Sequence, residues 1–189
     1  MYEIDQVVRQ ASVVAALVQR QPKIGRTALM KYTFLLQEVK GLPLGFDFTL
    51  YAYGPYDGAV LGRLSTAVRW GAVKESPVMY PGGIGYELEP GEQLDSILAR
   101  DKAFFHDHAA ELDWVVKEFK EYNAAGMELI GTMVFVDREA HEAGEMRTKD
   151  ELIDIVLKIK PRFSKDQAEH IYERLKNIGV LVAAKPVHL

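Results

Sequence analysis

The chain has 189 residues, 48% of them hydrophobic, with a formal net charge of -4 and no cysteine. That length supports one core or two small units sharing one, and the absence of cysteine excludes disulfides, thiolate metal sites and cysteine nucleophiles. No apolar run approaches the roughly 20 residues a bilayer span needs, and the opening MYEIDQVVRQ carries neither a basic leader nor an unbroken apolar stretch, so the expectation is a cytoplasmic protein without a membrane segment.

Charge is unevenly spread. Residues 76–145 hold 15 acidic side chains against 5 basic ones, while the flanking segments each hold 9 basic against 6 acidic. Net acidity speaks against a dedicated nucleic-acid binder, which needs cations to displace counterions from phosphate. The basic flanks are either solvated helix faces or a surface for an acidic partner.

Ile4, Val7, Val8, Ala11, Val14, Leu17 and Val18 recur at helical spacing and predict an amphipathic helix ending near Gln21-Pro22. A second helix follows, with Thr27 as its cap, Leu29, Tyr32, Leu35, Leu36 and Val39 on one face, and Gly41 and Pro43 as its stop. In GFDFTLYAY, Phe46, Phe48 and Leu50 alternate with Asp47, Thr49 and Tyr51, the period of a short strand or extended segment. Gly54-Pro55 is turn chemistry, and Asp57 is placed to cap a third helix that runs to about Trp70 and buries Val60, Leu61, Leu64, Ala67 and Val68.

Two β-prone pieces, around Val73 and around Tyr86 to Leu88, flank a Pro-Gly-Gly loop and predict a hairpin, with Pro90 opening the next helix. Further on, Phe105, His108, Leu112, Val115, Phe119 and Tyr122 predict one long helix that packs within the chain or, through Phe105, Leu112, Val115 and Phe119, against a second copy. A shorter helix over 127–136 and a polar loop at EAHEAGEMR come next. Thr148 with Glu151, and Ser164 with Gln167, are capping boxes opening two amphipathic helices; Gly179 ends the second, and Val180 to Val182 read as a short strand.

The order of three helices, an intervening strand and a hairpin is that of a winged helix. The fold expected is mainly α with a small β-hairpin: a winged helix-turn-helix over residues 1–100, then a helical domain over 101–189 that ends in a second helix-turn-helix-like unit, the two packed together or continuous.

Chemistry is harder to find. His106 and His108 stand beside carboxylates, but two-residue spacing points them to different helix faces, and His141-Glu142 lacks the second histidine of a zinc motif. None of the five serines sits in a Gly-x-Ser-x-Gly elbow, and PGGIG precedes a strand and not a helix. No catalytic residue, metal site or cofactor is expected. An enzyme reading would need Tyr53, Tyr56 and Asp57 to converge with His106 and His108.

KIGRTALMKYTFLLQ, followed by YGPYDGAVLGRL and a small hairpin, resembles the Panacea group of small prokaryotic proteins, which includes SocA-like antitoxins, proteolytic adaptors and uncharacterised relatives. The likeness covers about Lys23 to Leu94, with Leu29, Lys31, Tyr32, Tyr53, Gly54, Pro55 and Leu64 at matching places and Tyr-Gly-Pro as its specific part. Thr49, Leu50 and Tyr51 depart from the acidic and tryptophan-like positions common before that motif, and the helical tail after Gly126 is closer to the uncharacterised relatives than to the antitoxins. The resemblance implies a binding protein without catalysis.

On this reading Tyr53, Gly54, Pro55, Tyr56 and Asp57 form a structural corner. The expected activity is binding of another protein, antitoxin-like or adaptor-like, through the third-helix face and the hairpin. The alternative is a regulator of double-stranded DNA, with Arg63, Thr66 and Arg69 in a major groove, Lys74 or Tyr80 on the wing, and Arg26 and Lys31 toward phosphates.

Overall fold

The computed structural model describes residues 3–183, a mostly helical chain with a small antiparallel sheet. It divides into two compact units, residues 1–49 with 56–124 and residues 50–55 with 125–189. The boundary therefore lies at 124/125 and not at the expected 100/101, because the helices after residue 100 pack into the first unit. No helix among the described residues is long and apolar enough to cross a membrane.

In the first unit, α1 (Glu3–Arg20) is the central element, packed by α2 (Arg26–Glu38), α3 (Gly58–Arg69), α4 (Leu94–Leu98), α6 (Ala109–Phe119) and β5 (Gly83–Pro90). Neighbours on so many sides change the expected one-faced helix: every residue from Ala11 to Val18 is fully buried, as the near-continuous apolar run ASVVAALV demands. Likewise α2 is buried from Leu29 through Leu36 and not along one stripe. Its N-cap is Gly25, with no side-chain cap bond, so Thr27 sits inside the helix and is not its cap.

A turn with Pro22 and a left-handed Lys23 (φ 66°) joins α1 to α2, closed by the Ile24 N–H donating to the Gln21 carbonyl at 3.2 Å. It delivers β1 (Ile24–Gly25) to the sheet, whose order is β1-β5-β4, with Ile24 opposite Leu88 and β4 (Val73–Tyr80) pairing β5 from Val73↔Pro90 to Tyr80↔Gly83. The strand that completes this sheet thus lies between the first and second helices. The expected strand at 46–51 does alternate in burial, with Phe46, Phe48 and Leu50 more buried than Asp47, Thr49 and Tyr51, but only Thr49–Tyr51 is β2, paired with β3 (Gly54–Tyr56) in a separate two-stranded sheet.

Pro90 ends β5 and does not open a helix. Beyond it the backbone doubles tightly against the turn after α3: the Gly91 N–H donates to the Ala72 carbonyl at 2.9 Å, and a Cβ on Gly91 would lie 2.1 Å from the Gly71 oxygen. Gly91→Ala is expected to destabilise the protein by about 1–3 kcal/mol, the usual result of forcing a methyl group against backbone, read as a lowered Tm.

The long helix expected over 105–122 is broken. His108 leaves helical geometry (φ -114°, ψ 16°), ending α5 (Lys102–Asp107) and preceding α6. Leu112, Val115 and Phe119 are fully buried on α6, which packs on α1 and α2. That stripe is buried within the chain, while Phe105 sits apart on α5, half-buried.

The second unit holds α7 (Ala124–Glu142, from Ala125 on), α8 (Lys149–Ile159) and α9 (Lys165–Asn177). α7 runs six residues past its expected end at 136, since Arg138 and Ala140 still have work on its faces. Both capping boxes form as expected, Thr148 with Glu151 and Ser164 with Gln167, and α8 packs against α9. Residues 180–182 are not a strand; their backbone is held by the buried Asp137 carboxylate, which accepts the N–H groups of Val182 at 2.8 Å and Ala183 at 3.0 Å.

Candidate functional site: the third helix, the hairpin and the adjoining cleft

The β4–β5 hairpin is the most exposed apolar feature of the first unit. Met79 and Ile84, cross-strand partners, are 76% and 66% exposed, with Tyr80 and Pro81 beside them at the turn. Alternation explains the outward pair, and Tyr80 lies back across its own hairpin: a Cβ on Gly85 would come within 2.7 Å of its ring. The Tyr80 hydroxyl donates to Glu87 Oε1 at 3.1 Å, an interaction that raises the phenol above its ordinary range.

The basic residues expected to contact a partner or DNA divide by environment. Arg26 makes a two-pronged pair with Glu75, Nε to Oε1 at 2.7 Å and Nη2 to Oε2 at 2.8 Å, and its guanidinium lies 3.6 Å from the centre of the Tyr86 ring. The Glu75 hydrogen bond pushes the Arg26 pKa upward. Arg63 donates to Gln10 Oε1 at 2.7 Å while Gln10 Nε2 donates to the Leu44 carbonyl at 2.6 Å, so this arginine ties α3 to α1 and to the segment before β2. Lys31 is 2% exposed, which removes it from any phosphate-facing surface; the amphipathic reading of α2 failed because that helix is covered on nearly all sides. The Thr66 hydroxyl bonds back to the Gly62 carbonyl at 3.0 Å, Arg69 is exposed, and Lys74 pairs with Glu92 at 3.3 Å in full solvent, where such a pair contributes little.

The Tyr-Gly-Pro corner is a tight hairpin. Gly54 has φ 86°, a conformation that glycine tolerates and side chains resist, and Gly54 and Pro55 are buried while Tyr51 and Tyr53 are 64% and 67% exposed. Asp57 has both oxygens committed, Oδ1 to the Ala59 N–H at 2.8 Å as the α3 cap and Oδ2 to the Asp47 N–H at 2.7 Å. Tyr56 is half-buried, its hydroxyl 3.6 Å from where a Cβ on Gly58 would lie.

The tip of that hairpin belongs to the second unit, where sequence reasoning missed its support. Lys160, 4% exposed, donates to the carbonyls of Tyr51 (3.2 Å) and Ala52 and pairs with the 2% exposed Glu128 at 3.2 Å; Arg162 also binds Glu128. A signal was present: Lys160 follows directly on α8, four residues after the buried Val156, and Glu128 is a lone carboxylate in MELIGTMVFV.

His108 Nδ1 and Glu111 Oε2 face each other at 4.0 Å, each atom buried and without a hydrogen bond among the described residues. His106 is exposed on α5. Among the described residues no group of three His, Asp or Glu side chains is gathered closely enough to hold a metal ion.

A half-open cleft of about 550 Å3 adjoins the hairpin, lined by the α1–α2 turn, the start of α2, Tyr80 at the end of β4, Ile84 to Tyr86 of β5 and residues 122–124. Nothing in the sequence announced it. Behind it the buried Tyr32 hydroxyl donates to Gln21 Oε1 at 2.7 Å, and burial pushes this phenol far above its ordinary 10.0. Because the folded value is the higher one, Tyr32 contributes its full stability below 10.0 and loses it as the pH rises further. Urea midpoints are therefore expected to hold up to about pH 9.5 and fall above pH 10, and Tyr32→Phe to flatten that fall.

No protein-family model matches this chain, and no curated protein matches it at significance. The functional reading therefore rests on the geometry above and on the Tyr-Gly-Pro resemblance.

Proposed function

We propose that this chain is a non-enzymatic winged-helix protein that binds another protein through the outer end of β4–β5 and the neighbouring face of α3. The element order α1-β1-α2-α3-β4-β5 with sheet order β1-β5-β4 supports the winged-helix reading, in which β4–β5 is the wing. The chain departs from a simple helix-turn-helix in one respect: segment 39–57, with β2 and β3, replaces the short turn between α2 and α3.

The observation that carries the reading is the Met79–Ile84 pair, two large apolar side chains held out in water at the end of a wing whose strands also carry Glu75, Glu87 and Glu89. Such a surface gains by burial against a protein and has little to offer a phosphate backbone. Arg26 and Arg63, which a DNA reading would need, are engaged with Glu75 and Gln10. The resemblance to the antitoxin and adaptor group points the same way.

The test is affinity purification from a lysate of the source cells with the wild-type chain and with Met79→Asp/Ile84→Asp. One stoichiometric protein retained by the first and lost with the second supports the proposal. Equal recovery by both, or tight duplex DNA binding that weakens steeply with salt, contradicts it.

A further inference from the structure

We infer that the cleft beside the hairpin is a binding site for a small molecule that combines a flat ring with an acidic group, a function separate from partner binding by the wing tip. Its volume of about 550 Å3 lies within the range of small-ligand sites. Three tyrosines, Tyr80, Tyr86 and Tyr122, contribute to its walls, and aromatic walls favour a planar ring through stacking and burial of its faces.

Charge selects the acid. The described residues lining the cleft include two cations, Lys23 and Arg26, and no Asp or Glu, in a chain whose formal net charge is -4. Arg26 is balanced by Glu75, which lies outside the lining, and its guanidinium and the Tyr86 ring form a stacked pair at 3.6 Å that presents a rigid, flat edge. Lys23 remains as the lining cation that no ion pair among the described residues balances, and Thr27 adds a hydroxyl. The start of α2 reinforces a sign the cations already set: Gly25 caps it without a side chain and its first turn holds no carboxylate.

The backbone at Lys23 makes the test clean. A left-handed φ of 66° is strained for lysine and accepted by asparagine, so Lys23→Asn removes the charge while leaving the turn at least as stable. Full-length protein labelled with 15N is titrated, as wild type and as Lys23→Asn, with adenosine monophosphate, indole-3-acetate, their neutral counterparts adenosine and indole, and inorganic phosphate.

The expected result is saturable shifts at the amides of 23–28, 80–86 and 122–124 with at least one ring-bearing acid. Binding should weaken about tenfold or more for the neutral ring, for phosphate alone and for Lys23→Asn, the scale of one lost charged contact. The tighter of the two acids identifies phosphate or carboxylate as the preferred group. The inference is overturned if neither acid shifts these amides at millimolar concentration, if neutral rings or phosphate alone bind as well, or if Lys23→Asn binds unchanged. Ile84 lines the cleft as well as the wing tip, so Met79→Asp alone, outside the lining, is the variant that reports on partner binding, and Lys23→Asn the one that reports on the cleft; the two readings then fail separately.

Discussion

Glu128→Ala is expected to destabilise the second unit by about 3–5 kcal/mol, because it leaves the ammonium of Lys160 buried without its countercharge. Glu128 and Lys160 are 2% and 4% exposed and 3.2 Å apart, and Arg162 shares the same carboxylate. Two carbonyls of the hairpin tip, those of Tyr51 and Ala52, also accept from Lys160, so the loss should reach the segment 50–55. Urea unfolding followed by circular dichroism measures the first effect, and faster amide exchange at 50–55 the second. The paired replacement Glu128→Leu/Lys160→Met should recover much of the stability while still loosening the hairpin tip, since an apolar pair satisfies the core but gives the carbonyls no donor.

Asp137→Ala is the second large expected effect, also about 3–5 kcal/mol. The carboxylate is fully buried and accepts from the Val182 and Ala183 amides and from Arg138 Nη1 at 2.8 Å, and Arg138 in turn donates to the Val180 carbonyl at 2.9 Å. Removing it orphans two amide donors, each costing about 1–3 kcal/mol, and withdraws one ion-pair partner from a largely buried guanidinium. The segment 180–183 should become sensitive to protease in the folded protein, with cleavage there the direct readout. A variant that keeps both its midpoint and its resistance would show that this carboxylate does not hold the segment.

Most of the helices were legible because local chemistry and periodicity agreed: the Asp57 cap, both capping boxes and the β4–β5 hairpin all stand where their residues predict. Failures came where tertiary contact overrode pattern. α1 and α2 read as one-faced helices because periodicity cannot report that neighbours close in from every side. The helix break at His108 has no glycine or proline to mark it, and β1, only two residues long, owes its existence to pairing with β5.

The candidate site was legible in the same uneven way. Tyr80 and Lys74 lie on the hairpin and Arg69 on an exposed part of α3, as composition and spacing allow. Lys31 was misplaced because a charged side chain in a sequence looks the same whether it meets solvent or the core, and for the same reason the partners of Arg26 and Arg63, Glu75 and Gln10, could not be read. Met79 and Ile84 read as ordinary strand residues, and only the sheet order reveals that both stand outside the packed layer. The cleft joins pieces distant in sequence, from 21 to 124, and no local motif encodes it.

The most direct measurement is site-specific photo-crosslinking from position 84 in the full chain, with p-benzoylphenylalanine in place of Ile84, carried out in source-cell lysate. One dominant protein adduct, lost when Met79→Asp is added, is the result expected of a wing that docks on a protein. Crosslinking to nucleic acid, or a diffuse set of adducts indifferent to Met79→Asp, would contradict it.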